Sequence, residues 1–166
     1  MNIFLIGFMG SGKSTTGRKL SKLLGYSFVD TDELIIDRLG MSINDIFKHL
    51  GEEKFRENET GVLNKLVTEK NLVVSTGGGL PCYGENMDII NRHGISVYLK
   101  VSPTDLYSRL SPGKYKRPLI KNLSDEELMK FIENTLSERE AYYSLAHHTV
   151  TKLDVDLKKL MKVLSG

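Results

Sequence analysis

The chain has 166 residues, with 23 Lys+Arg against 21 Asp+Glu and a formal charge of +2. That length suggests one domain over 1–166, able to bury roughly 70% of its unfolded surface without a disulfide or metal staple. The balanced charge gives no case for a nucleic-acid partner, and a lone Cys82 excludes both an intrachain disulfide and a cysteine-rich zinc site.

Residues 2–6 (NIFLI) form an apolar run suited to a buried parallel strand. They lack a basic flank, so they read as a strand rather than a signal peptide. No apolar run approaches membrane-spanning length, so no membrane partner is expected and the cytoplasm is the default location. A glycine-rich turn follows, then a helix (TTGRKLSKLLG) closed by Gly25. A second strand is expected at 26–30, and a helix over TDELIIDRLG ends at Gly40. Ser42 caps SINDIFKHL, with Asp45 placed as in a capping box, and GEEKFRENETGVLNKLVTE continues as a charged amphipathic helix. A strand at 71–75 runs into Gly77, Gly78 and Gly79. A helix at 86–93, a strand at 95–101 and a helix from Pro103 follow. The stretch 111–121 (SPGKYKRPLIK) is aperiodic. Ser124 and Glu127 box the start of a long helix, and a weak strand near 149–151 and a helix at 154–164 end the chain. Alternating strands and helices argue for an α/β fold with a mainly parallel sheet, whose ligands sit beyond the carboxyl ends of the strands. No extended apolar helix face is left over, so a monomer is expected.

Gly7–Ser14 matches G-x-x-x-x-G-K-[ST]. In that pattern the loop through Gly10, Ser11, Gly12, Lys13, Ser14 and Thr15 turns backbone N–H groups onto the β- and γ-phosphates. Lys13 adds a positive charge, and the Ser14 hydroxyl reaches Mg²⁺. Asp30 and Asp32 admit two readings. Asp30 is either a helix cap completed by Glu33, or the carboxylate that holds Mg²⁺ through water; the second would leave Asp32 to orient or deprotonate an acceptor hydroxyl. Gly77–Gly79 is either a flexible turn or a place where backbone closely approaches a substrate. Arg56, four residues after Glu52, and Arg139, flanked by acids, are either surface ion pairs or carboxylate ligands. Arg117 is an exposed loop charge or part of a lid over phosphate, and Arg109 could face the nucleotide.

A GTPase reading has two local matches, D-x-x-G at 37–40 and [NT]-K-x-D at 151–154. Asp37 lies within the apolar rhythm of a helix, and HHTV is a poor strand to precede a base-reading loop. Both matches are therefore set aside.

The motifs G-x-x-G-x-G-K-S, D-T-D (30–32), G-E-E-K-F-R (51–56), G-G-G (77–79), R-P-L (117–119) and E-R-x-x-Y (138–142) occur in this order. Together they resemble the shikimate kinase family over essentially the whole chain. The resemblance implies a three-layer P-loop kinase fold with a five-stranded parallel sheet in the order 2-3-1-4-5. It also implies a substrate-binding region at about 31–60 and a lid at about 111–121. The reaction implied is transfer of the γ-phosphoryl group of ATP to the 3-hydroxyl of shikimate, on the route to chorismate and aromatic amino acids. Catalysis is then carried by Asp32, Lys13 and Arg117. Gly10–Thr15, Arg109 and Arg117 hold ATP, and Ser14 and Asp30 hold Mg²⁺. Asp32, Arg56, Gly77–Gly79 and Arg139 hold shikimate. Gluconate and nucleoside monophosphate kinases share the loop, but the arginines at 56 and 139 are not expected in them as a carboxylate-binding pair.

Overall fold

The computed structural model describes residues 1–151 and 156–165. Its five strands are β1 (Asn2–Ile6), β2 (Ser27–Asp30), β3 (Leu72–Ser75), β4 (Gly94–Leu99) and β5 (His148–Val150). They form one sheet in the order β2-β3-β1-β4-β5, and every neighbouring pair is parallel. The helices are α1 (Lys13–Leu24), α2 (Thr31–Leu39), α3 (Ile43–Leu66), α4 (Asn86–His93), α5 (Pro103–Leu110), α6 (Asp125–Tyr143) and α7 (Leu157–Ser165). Short 3-10 turns occupy Leu80–Cys82 and Ser111–Lys116.

β1 lies at the centre and is buried along its whole length, which is why NIFLI is apolar at every position but the first. Alternate residues serve opposite faces. Phe4 and Ile6 pack with Val74 and Tyr98 under α2, α3 and α4, whereas Ile3 and Leu5 pack with Val73, Val97 and Leu99 under α1 and α7. Helices thus cover both faces, as an all-parallel sheet requires. A third cluster joins Phe8 to Leu106, Leu110, Ile120, Leu128 and Ile132, seating α5 and α6 beyond the strand ends.

The punctuation follows the expected signals. Gly25 and Gly40 close α1 and α2 in the left-handed conformation, and the Ser124–Glu127 capping box opens α6. Gly40 is therefore a helix stop and Asp37 lies within α2, which leaves D-x-x-G no γ-phosphate to sense. Of the second GTPase match only Thr151 is described; Lys152–Asp154 lie outside the described residues, as does the expected start of the last helix.

Two details differ from expectation. The Ser42 hydroxyl accepts from Asp45 N–H but donates its own proton to the Asp45 carboxylate at 2.8 Å, so the reciprocal bond of a capping box is replaced. The two helical patterns flanking Gly51 run on as one element with a break at Gly51 (φ 81°, ψ 167°). That backbone position favours glycine, and it lets the second half of α3 leave at a new angle.

Candidate active site

The turn after β1 wraps back on itself through Gly7, Gly10 and Gly12, all at positive φ. A methyl group on Gly7 would lie 2.8 Å from the Leu99 carbonyl oxygen, so the loop sits directly on β4. The Lys13 ammonium folds over this turn and donates to the Gly7 and Phe8 carbonyls at 2.8 and 2.9 Å. Burial lowers its pKa to about 8, against the pull of Asp32 and Asp30 in the other direction. Arg109 comes in from α5 and donates to the Gly10 carbonyl at 3.0 Å. The resulting cavity of about 430 Å³ is lined by Gly10, Gly12–Thr15, Asp30, Asp32, Gly77, Gly78, Arg109 and Arg117. All the donor-side residues expected from the sequence except Ser11 line this one space. Ser11 stands beside it, buried, its hydroxyl without a partner among the described residues.

Asp30 caps α2, and the cap leaves its second oxygen turned to Ser14. Its Oδ1 accepts from the N–H groups of Asp32 and Glu33 and caps α2, while its Oδ2 accepts from the Ser14 hydroxyl at 2.8 Å. The expected capping partner Glu33 turns outward to Arg18 instead. Ser14 and Asp30 thus present oxygen donors to the phosphate cavity, with the Ser75 hydroxyl 3.2 Å from Ser14 Oγ. An oxygen-only pair of this kind fits Mg²⁺, which takes one or two protein oxygens and completes its shell with phosphate and water.

The acceptor side is organised by the triple glycine. A methyl group on Gly77 would lie 2.8 Å from Asp32 Oδ1, one on Gly78 would lie 3.0 Å from Arg139 Nη1, and one on Gly79 would lie 2.7 Å from Arg56 Cζ. Three functional side chains therefore rest, in order, on three successive bare α-carbons. Burial raises the Asp32 pKa, and Asp30 adds to the rise; Lys13 and Arg56 oppose it. The strip also divides the space. Arg56, Gly79 and Arg139 line an outer cavity of about 670 Å³, separate from the phosphate cavity that Asp32 lines. A third cavity, of about 310 Å³, joins Asp32 and Phe47 to Arg117, Pro118 and Leu119. Asp32 and Arg117 thus face each other across two of the three spaces.

Neither arginine is an ordinary surface ion pair. Glu52 is 3.6 Å from Arg56 and largely exposed, whereas Glu59, three residues on, bonds Arg56 Nη1 at 2.6 Å and is itself buried. Beside Arg139, Glu140 turns away to the Tyr98 hydroxyl and Lys100. Glu59 was not anticipated. Burial raises its pKa to about 7 despite Arg56, and its Oε1 has no hydrogen-bond partner among the described residues and lies beside Gly77 with Asp32 Oδ1. A signal was present: Glu59 falls on the face of α3 that carries Phe55, Val62, Leu63 and Leu66, where a carboxylate is out of place. Cys82 lines the outer cavity, but burial lifts its thiol to about 11 and leaves it a poor nucleophile.

A glycine-rich loop between a parallel strand and a helix, facing an acidic strand end and an arginine-bearing segment, is the arrangement of a P-loop kinase. The shikimate kinase family model matches residues 9–164. A shikimate kinase of Parabacteroides distasonis is 42% identical over 170 residues, covering 98% of both chains. The crystal structure of shikimate kinase from Bacteroides thetaiotaomicron superposes with a TM-score of 0.95 at 34% identity, covering 100% of this chain and 99% of that one. Shikimate kinase from Acinetobacter baumannii, solved in complex with shikimate, gives a TM-score of 0.85 at 36% identity over 99% and 90% of the two chains. The chain belongs to the shikimate kinase family, whose reaction is the ATP-dependent phosphorylation of shikimate.

Proposed function

We propose that the phosphoryl group passes from ATP to the 3-hydroxyl of shikimate through the following division of labour. The observation that carries it is the triple-glycine strip, with Asp32 on one end of the phosphate cavity and Arg139 and Arg56 laid along its length. Lys13 and the amides of Gly10–Thr15 hold the β- and γ-phosphates, and Arg109 approaches the same cavity from α5. Arg56 and Arg139 take the shikimate carboxylate, for which their planar forks are suited. The N–H groups of Gly78 and Gly79, which have no protein acceptor among the described residues, face the bound acid. Asp32 accepts a hydrogen bond from the 3-hydroxyl and takes its proton as the oxygen attacks phosphorus. A carboxylate raised by burial is a better base than one in water. Mg²⁺ held by Ser14, and by Asp30 through water, would neutralise charge on the phosphate oxygens.

Residues 111–121 act as a lid. Leu119 is 57% exposed beside Arg117, and a small inward movement of this segment would carry both over the acceptor and exclude water. The proposal extends to a cytoplasmic monomer. Among the described residues no helix is long and apolar enough to cross a membrane. The deciding experiment is ADP release by the purified protein with Mg²⁺ and shikimate, set beside gluconate and a nucleoside monophosphate. Turnover confined to shikimate and lost on chelation of Mg²⁺ is expected; equal turnover with gluconate would overturn it.

A further inference from the structure

Arg139 is held by α6, and the same helix carries a tyrosine one turn further on that lines none of the three cavities described above. Tyr143 is fully buried and packs on Tyr98 in a tilted arrangement, with ring centroids 5.0 Å apart. Its hydroxyl donates to the Gly78 carbonyl at 2.6 Å, a short bond reaching 65 residues along the chain. Gly78 is the point where the acceptor side and the phosphate loop meet. A methyl group there would lie 3.0 Å from Arg139 Nη1, 3.6 Å from the Gly7 carbonyl oxygen and 3.7 Å from Met9 N. The Gly78 carbonyl and the Gly79 N–H belong to one planar trans peptide and point in opposite directions. Fixing the carbonyl on Tyr143 therefore fixes which way the Gly79 N–H faces.

We propose that Tyr143 is a positioning residue for the acceptor: its hydroxyl sets the orientation of the Gly78–Gly79 peptide against Arg139, so that amide and guanidinium address the same carboxylate-bearing substrate. The proposal rests on the reading that the glycine strip and Arg139 bind shikimate. Tyr143 acts through these groups and does not touch substrate. With phenylalanine in its place the ring packing on Tyr98 is kept, but the Gly78 carbonyl loses its donor and Arg139 loses its contact with the hydroxyl, so the peptide and the guanidinium both lose their shared anchor.

The test is Tyr143→Phe, with steady-state kinetics in both substrates, thermal melting, and calorimetric titration of shikimate without nucleotide. The shikimate KM and dissociation constant should rise roughly fivefold or more, since a buried carbonyl is left unpaired. The ATP KM should stay within about twofold, and kcat should fall less than the shikimate KM rises. A loosened fold would weaken both substrates together. An unchanged shikimate KM, or matched losses for ATP and shikimate, would overturn the proposal. Arg139→Ala is run in parallel: if it too leaves the shikimate KM unchanged, the underlying assignment of the acceptor site has failed, whereas a large effect there with none in Tyr143→Phe refutes the tyrosine alone.

Discussion

Replacing Gly79 by alanine isolates what Arg56 contributes. The backbone at Gly79 (φ −90°, ψ −12°) is open to alanine, so the substitution adds a methyl group without straining the chain. That methyl carbon would lie 2.7 Å from Arg56 Cζ, whereas unbonded carbon atoms settle at about 3.5 Å or more. The guanidinium must withdraw by roughly 1 Å, enough to break a bidentate hydrogen bond to a carboxylate. A hydrogen bond to a charged group is worth about 1.5–3 kcal/mol, so the shikimate KM should rise about 10- to 100-fold. The ATP KM should not move, because Gly79 and Arg56 line the outer cavity and not the phosphate cavity. A coupled assay for ADP release, titrating each substrate at saturating levels of the other, measures both constants. Gly78→Ala, which brings a methyl group to 3.0 Å from Arg139 Nη1, should act in the same direction but less strongly. Gly77→Ala crowds Asp32 and should depress kcat instead. An unchanged shikimate KM in Gly79→Ala, or parallel increases for ATP and shikimate, would refute the idea that the strip is bare because side chains must lie on it.

Asp32→Asn should lower kcat by about 100- to 10,000-fold with nucleotide binding kept, and the acid limb of the wild-type rate profile should lie above the ordinary carboxylate range; near-normal kcat in the variant would end the role of Asp32 as base. Glu59 holds its proton up to about pH 7 when folded but only to its ordinary value when unfolded, so the unfolded chain binds fewer protons between those limits and stability falls as pH rises through them. The loss is about 3 kcal/mol across that window, and Glu59→Gln should flatten this part of a melting-temperature profile taken from pH 4.5 to 7.5; superimposable profiles would count against it. Lys13, lowered to about 8, must be protonated to meet phosphate, so ATP affinity should weaken above pH 8, approaching tenfold per pH unit. Calorimetric titration of ATP at pH 7, 8 and 9 checks this, and a flat response would show that the ammonium stays charged throughout.

What could be read along the chain was what local chemistry dictates. The phosphate loop, the stops at Gly25 and Gly40 and the Ser124–Glu127 box each depend on neighbours a few residues away, and each stands where the sequence put it. The strand order came from the motif series as a whole and agrees with the observed sheet. Glu59 and Tyr143 escaped because both occupy core-facing positions of amphipathic helices, where a single residue of the wrong polarity is easily absorbed into the pattern. Their partners, Gly77 and Gly78, lie 18 and 65 residues away, and only the folded chain brings them together. Asp30 posed a different difficulty: cap and metal carboxylate looked like competing readings, yet a carboxylate has two oxygens, and capping α2 uses one and leaves the other facing Ser14.

That shared carboxylate joins the phosphate loop to the start of α2. One oxygen of Asp30 faces Ser14 in the phosphate cavity; the other holds the N–H of Asp32, the residue aimed at the acceptor. A rotation of this one side chain on arrival of the donor would be passed to Asp32 through a bond of 3.0 Å. By reciprocity, whatever free energy the donor gains from a bound acceptor, the acceptor gains from a bound donor. A donor that turned this side chain would thus bear on the first turn of α2, where Asp32 stands, and so on the acceptor's side of the cleft.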